Sequence, residues 1–173
     1  MKKCLIDSSS AILLYKSGLL RILISTFDVR VGSVVYEELT HSGYPGCDQF
    51  KKFFREKQLE NRKKQVGDIS ENLMVSAGLD PGERQTILLF HKVLTDFVII
   101  DDGAAVRCCR KLRIPHINAL LVPRILKISG KISREACQRK MERLMEIGRY
   151  GPNVIDFARK CDGSRLLFFV SEK

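Results

Sequence analysis

Nowhere in the 173-residue sequence do about 18 apolar residues run without interruption, so no membrane span is expected. The opening MKKCLIDSSSAILLYKSG has two lysines in the manner of a signal peptide. Asp7 interrupts its apolar run almost at once, however, and no small-residue cleavage site follows, so the segment reads as mature, cytoplasmic protein. Six cysteines are present, but none forms a Cys-x-x-Cys pair, and His41, His91 and His116 do not cluster. A zinc ribbon or finger therefore has no support, and reduced, buried thiols are expected. There is no glycine-rich phosphate loop, since SSSAI fits neither the Walker nor the dinucleotide fingerprint. Internal repeats, low-complexity stretches and an interdomain linker are also missing, which leaves one domain over about residues 1–150 and a C-terminal tail, 151–173.

Hydrophobic residues make up 45% of the chain, enough for a sizeable core. Thirty lysines and arginines against twenty acids give a net charge of +10, which favours polyanionic partners. Nucleic acid is preferred to a membrane surface, because no basic amphipathic helix with aromatic anchors stands out.

Strand-like and helix-like stretches alternate. KCLID (3–7) reads as a strand, SSSAILLYKSGLLRILI as a mostly apolar helix, FDVRVG as a half-buried strand and SVVYEELTH as a helix capped by Ser33. CDQFKKFFREKQLENRKK reads as a charged helix reaching Lys64. Before the next helix Asp80 is a cap, Pro81 suits the first helical position and Glu83 stands three residues on. FVII is a buried strand, GAAVRCCRKL a helix, IPHIN a short strand, and ALLVPRILKISG and SREACQRKMERLMEIGR are helices. SRLLFFVSEK is strand-like: an added edge strand or a dimer contact. This order predicts an α/β fold with a mainly parallel sheet and helices on both faces.

In such sheets ligands bind outside the carboxyl ends of the strands. Asp7 ends the first strand, and Asp101 and Asp102 follow FVII on the same rim. Glu38 lies early in a helix with Val35 and Val34 three and four residues before it, so it turns inward while Glu37 turns away. Glu83 sits in the first turn of its helix. Several carboxylates on one rim suit Mg²⁺ or Mn²⁺, and such an ion can activate water for attack on a phosphodiester. Each acid also has a local alternative. Glu83 completes a capping box, Asp102 caps the helix from Gly103, and Glu37 with Glu38 can form one solvated face. Asp7 is the hardest to explain locally.

The segments LIDSSSAI, VGSVVYEEL, GLDPGERQTI and VIIDDGAAVRCCRKLRIP, followed by INALLVPRILKISGKIS, resemble the PIN-domain ribonucleases, in particular the branch similar to VapC-type toxins, over about residues 3 to 147. The resemblance implies a three-layer α/β/α fold and Mg²⁺- or Mn²⁺-dependent cleavage of single-stranded RNA by the toxin of a toxin–antitoxin pair, with a small antitoxin protein as partner. Carried over by position, Asp7, Glu38, Glu83 and Asp102 match the four catalytic, metal-holding acids. Asp101 is a close competitor for the fourth place, and Ser9 matches a hydroxyl that supports the first acid. One departure is clear: where the branch has a Gly-Thr pair, this chain has Asn118-Ala119, which puts water or metal positioning in question.

Three classes of function follow. The first is a metal-dependent endoribonuclease in which Arg84, Arg107 and Arg110 contact backbone phosphates. The second is a catalytically weak or inactive module that binds RNA or protein. The third is a phosphoacceptor or nucleotide-binding domain, weakened by the missing glycine-rich loop. Apolar N-terminal helices together with LLFFV further predict a homodimer.

Overall fold

A computed structural model describes residues 1–62, 78–90 and 92–170. Among the described residues, five parallel strands form the sheet: β1 (Lys3–Ile6), β2 (Asp28–Gly32), β3 (Glu60–Arg62), β4 (Phe97–Ile99) and β5 (His116–Ile117), in the order β3-β2-β1-β4-β5. β1 is central, with Cys4 opposite both Val29 and Phe97 and Ile6 opposite Ile99. Side chains alternate across the pleat, as a period of two requires. Cys4, Ile6, Phe97 and Ile99 enter one apolar cluster, while Leu5, Val98 and Ile100 enter the other.

The first cluster is covered by α1 (Ser8–Lys16), α2 (Leu20–Thr26), α3 (Ser33–Thr40), α4 (Cys47–Arg55), α7 (Val122–Ile128) and α8 (Arg134–Ile147). The second is covered by α5 (Pro81–Phe90) and α6 (Gly103–Lys111). Helices on both faces of a parallel sheet make the predicted three-layer α/β/α fold. All six cysteines are free thiols, and all but Cys47 are buried. Among the described residues no helix is long and apolar enough to cross a membrane.

Four elements differ from the sequence expectation. The apolar helix after β1 is two helices, because Ser17 closes α1 and Gly18 takes φ +70°, a left-handed C-terminal turn that glycine adopts without strain. Lys140 secures this turn by donating to the Ser17 carbonyl at 2.5 Å. The charged helix ends at Arg55, with Lys57 at φ +54°, and the chain then extends into β3; Lys63 and Lys64 lie outside the described residues. The polar member of the alternating strand, Arg30, is 7% exposed rather than solvated, held by Asp28 at 2.6 Å and Glu60 at 3.2 Å.

The fourth difference is the tail. Pro152–Lys160 form α9, and Gly163–Phe169 form a 3₁₀ helix instead of a strand. Asp162 starts it, accepting from the Ser164 amide at 3.2 Å and hydroxyl at 2.6 Å. Ala158, Cys161 and Leu166 join the main core, so this segment packs on the body of the fold.

Candidate functional site

The strand order reverses direction between β1 and β4, and parallel α/β sheets hold ligands in the crevice outside the carboxyl ends of the strands at such a switch point. Asp7 leaves β1 and caps α1 in extended conformation. Its Oδ1 accepts from the Ser10 amide at 2.9 Å and its Oδ2 from the Ser9 hydroxyl at 2.8 Å. The side chain is only 2% exposed. Burial, reinforced by the neighbouring Asp101 charge, pushes the Asp7 carboxyl up to about 7 against those donors.

Asp101 follows β4 and lies inward. It accepts from the Ser10 hydroxyl at 2.6 Å, the Ala119 amide at 3.2 Å and the Tyr150 hydroxyl at 2.8 Å. Burial raises its pKa in spite of these bonds. Tyr150 is in turn held protonated by burial and by the Asp101 charge. Asp102, one residue on, is exposed and caps α6, its Oδ1 accepting from Ala104 and Ala105 amides at 2.7 and 2.9 Å. Its Oδ2 has no donor among the described residues.

Glu83 and Asp80 form the reciprocal capping box expected of them: the Asp80 amide donates to Glu83 Oε2 at 3.1 Å, and the Glu83 amide to Asp80 Oδ1 at 2.8 Å. The box does not exhaust Glu83. Burial, followed by the charges of Asp80, Asp102 and Asp7, pushes its carboxyl up to about 7. Glu38 is half-buried and Glu37 exposed, as the helical spacing requires. The Glu38 carboxylate faces Gly82: a Cβ on that glycine would stand 3.1 and 3.2 Å from its two oxygens. Among the described residues, Glu38 has no hydrogen-bond donor or cation partner.

Asp7 thus feels the charge of Asp101, Glu83 feels those of Asp102 and Asp7, and Glu38 lies against Gly82 in the first turn of α5. No three His, Cys, Asp or Glu side chains among the described residues already stand in ligating geometry. As a donor set the acids suit a hard divalent cation. They are all carboxylates, three of them (Asp7, Glu83 and Asp101) with raised proton affinity, and free oxygens remain on Glu38, Glu83 and Asp102. Of the expected phosphate contacts, Arg84 is half-buried on α5, while Arg107 and Arg110 are exposed on α6.

Three contributors escape a reading of the sequence. Ser10 serves two acids, its amide on Asp7 and its hydroxyl on Asp101; the triple serine is its only local signal. Tyr150 reaches Asp101 from 49 residues away, which no local pattern shows. Gln85 joins the two glutamate helices: its Nε2 donates to the Ser33 hydroxyl at 2.8 Å, and its Oε1 accepts from the Val34 amide at 2.8 Å. Ser33 is therefore the first residue of α3 and not its cap. Gly32 precedes it, and Gln85 supplies the acceptor that a cap would. A side chain at Gly32 would collide with Gln85. At the departure from Gly-Thr, Asn118 caps a 3₁₀ turn (Ala119–Leu121) by accepting from the Leu121 amide at 3.1 Å, and Ala119 offers its amide to Asp101.

A PIN domain family model matches residues 3–158, and the chain belongs to this family. PIN domains are generally nucleases, a class consistent with a carboxylate crevice on a basic chain. No curated protein matches the chain, and no solved structure does.

Proposed function

We propose that the protein is a metal-dependent endoribonuclease that cleaves single-stranded RNA and acts as the toxin of a toxin–antitoxin pair of the VapC type. The observation that carries this reading is Asp7: a buried carboxyl at the sheet's switch point, raised to about 7, coupled to Asp101 and felt by Glu83. Mutually repelling carboxylates around one crevice gain most from a cation. Asp7, Glu38, Glu83 and Asp102 would hold Mg²⁺ or Mn²⁺, with Asp101 supporting from behind and Ser9 steadying Asp7. The bound ion would supply an activated water and offset charge on the phosphodiester.

This chain's own groups fix the rest. Ser9 and the Ser10 amide orient Asp7, and the Ser10 hydroxyl, Tyr150 and the Ala119 amide lock Asp101 so that it does not compete as a mobile charge. Arg84, Arg107 and Arg110 contact backbone phosphates. A cytoplasmic setting, a small antitoxin protein and a homodimer belong to the same proposal. For the dimer the support is in the tail, where Leu167 is 59% and Phe168 50% exposed.

Asp7→Asn removes the charge while keeping the shape. With Mn²⁺ present, the purified wild type is expected to cut single-stranded RNA, and Asp7→Asn to lose at least about a thousandfold in rate, roughly 4 kcal/mol of barrier. Equal cleavage by the two proteins rejects the assignment. RNA bound but cut by neither favours the binding module, a reading that the absence of a hydroxyl side chain at Asn118-Ala119 supports.

A further inference from the structure

A groove of about 630 Å³ begins at Asp101 and Tyr150 and runs between the α6–β5 edge and the C-terminal segment. Its volume is that of an ordinary ligand site. Two features define its chemistry. The rings of Tyr150 and Phe157 line it, and Phe157 is 48% exposed with no ring partner among the described residues. Arg110 and Arg149 also line it, both exposed and with no side-chain ion pair or hydrogen bond among the described residues. Asp101 is the only carboxylate among the described residues of its lining, and that group is already engaged by Ser10, Ala119 and Tyr150. The groove therefore presents net positive charge and open aromatic faces directly beside the acidic crevice.

We propose that this groove is a subsite for single-stranded RNA flanking the scissile phosphodiester, with an unstacked base against Phe157 and Tyr150 and backbone phosphates on Arg110 and Arg149. That the strand flanks a scissile bond rests on the nuclease reading; that the ligand is a single strand rests on the groove alone. Every base has a π-face, so aromatic platforms with cations beside them take single strands with little regard to sequence. A second copy of the chain fits less well. A two-fold contact through this groove would bring Arg110 and Arg149 of one copy against their counterparts in the other, like charges at the centre of an interface. An apolar protein segment would leave both arginines without a counter-charge.

The test is binding of a short fluorescein-labelled single-stranded RNA of mixed sequence, followed by anisotropy in EDTA so that no cleavage interferes. Phe157→Ala is expected to weaken binding roughly tenfold, and Phe157→Tyr to restore it. Arg110→Ala with Arg149→Ala should weaken binding at low salt and flatten the dependence of log affinity on log salt by about 0.7 for each arginine removed from a phosphate. The three side chains are exposed or half-exposed, and thermal melting of each variant confirms folding; the arginine pair tests the groove should Phe157→Ala melt. Affinities within twofold of wild type for both sets overturn the proposal. So does a dimer-to-monomer change on Phe157→Ala with RNA affinity unaltered, which marks the groove as an interface between copies. Weakened binding in these variants, with no cleavage by wild type plus Mn²⁺, supports the groove and removes the nuclease reading. Binding unchanged with cleavage intact does the reverse.

Discussion

Asp101 and Asp102 are consecutive residues at the end of one strand, yet they occupy opposite environments. Asp101 is turned inward, with both oxygens engaged by Ser10, Ala119 and Tyr150. Asp102 is exposed and uses one oxygen to cap α6. The same division runs through the whole set. Asp7 and Asp101 form an inner pair that is hydrogen-bonded but poorly solvated, whereas Glu38, Glu83 and Asp102 form an outer group with oxygens to spare. The inner pair is fixed in place by its donors; the outer group keeps free oxygens, with which, in the proposed metal site, it would meet the cation together with Asp7. Adjacent identical side chains thus differ because the backbone turns one toward the core and the other toward the next helix.

The sharpest way to break this comparison is to truncate each aspartate. Asp101→Ala leaves the Ser10 hydroxyl, the Ala119 amide and the Tyr150 hydroxyl without their acceptor in a part-buried place, and should destabilise by about 2–4 kcal/mol. Asp102→Ala removes only an N-cap, about 1 kcal/mol, and Asp102→Asn should restore most of it. Urea denaturation of the three variants, read as midpoints at constant slope, decides. Equal destabilisation by both alanine variants would erase the inner–outer distinction.

Acidity gives a second test. The Asp7 and Glu83 carboxyls ordinarily titrate at 3.8 and 4.5, and the fold raises both to about 7. A raised carboxyl binds its proton more tightly when folded. Its contribution to stability is therefore complete below about pH 4 and is lost as pH rises through 7. Metal-free protein should melt at a lower temperature at pH 8 than at pH 5.5, and Asp7→Asn should flatten that trend. Mg²⁺ or Mn²⁺ at pH 8 should recover the loss by an amount set by the ratio of free ion to its dissociation constant. A melting temperature indifferent to both pH and metal would contradict the electrostatic account.

Smaller effects sharpen the outer group. Gln85→Ala removes the bridge between α5 and α3 and should cost about 1–2 kcal/mol in urea denaturation. Under the proposed nuclease activity, it should also weaken apparent metal affinity by loosening Glu38 against Glu83, while Glu37→Gln, exposed on the other side of α3, should change stability by less than about 0.5 kcal/mol and leave metal affinity unaltered. A Glu37 variant as impaired as the Gln85 variant would assign the wrong face of α3 to the crevice.

What the sequence reveals of all this follows the range of each signal. β1 and β4 stand out as short apolar runs, and the Asp80–Glu83 box is readable because capping is a relation over three residues. Glu38 is separable from Glu37 because helical periodicity is local as well. The break at Gly18 competes with a strong apolar pattern on either side, and the pattern alone favours one long helix. The tail reads as a strand because LLFFV is apolar, but Asp162 and Ser164 start a 3₁₀ helix that buries Leu166 and leaves Leu167 and Phe168 outside. The double duty of Ser10, the reach of Tyr150 and the bridge of Gln85 depend on tertiary contacts, for which a single sequence carries no periodic trace.

The central place of β1 has a temporal consequence. The Lys3 amide donates to Asp96 across 93 residues, and Cys4 pairs with Phe97 in the same register. A ribosome delivers residues in order, so the first strand emerges long before the neighbour that closes the sheet around it. Asp101 follows that neighbour, and Tyr150, the last side chain to secure it, comes 49 residues later still. The surroundings of Asp7 and Asp101 are therefore complete only once Tyr150 has emerged, and until then a nascent chain carries Asp7 without the groups that make it unusual.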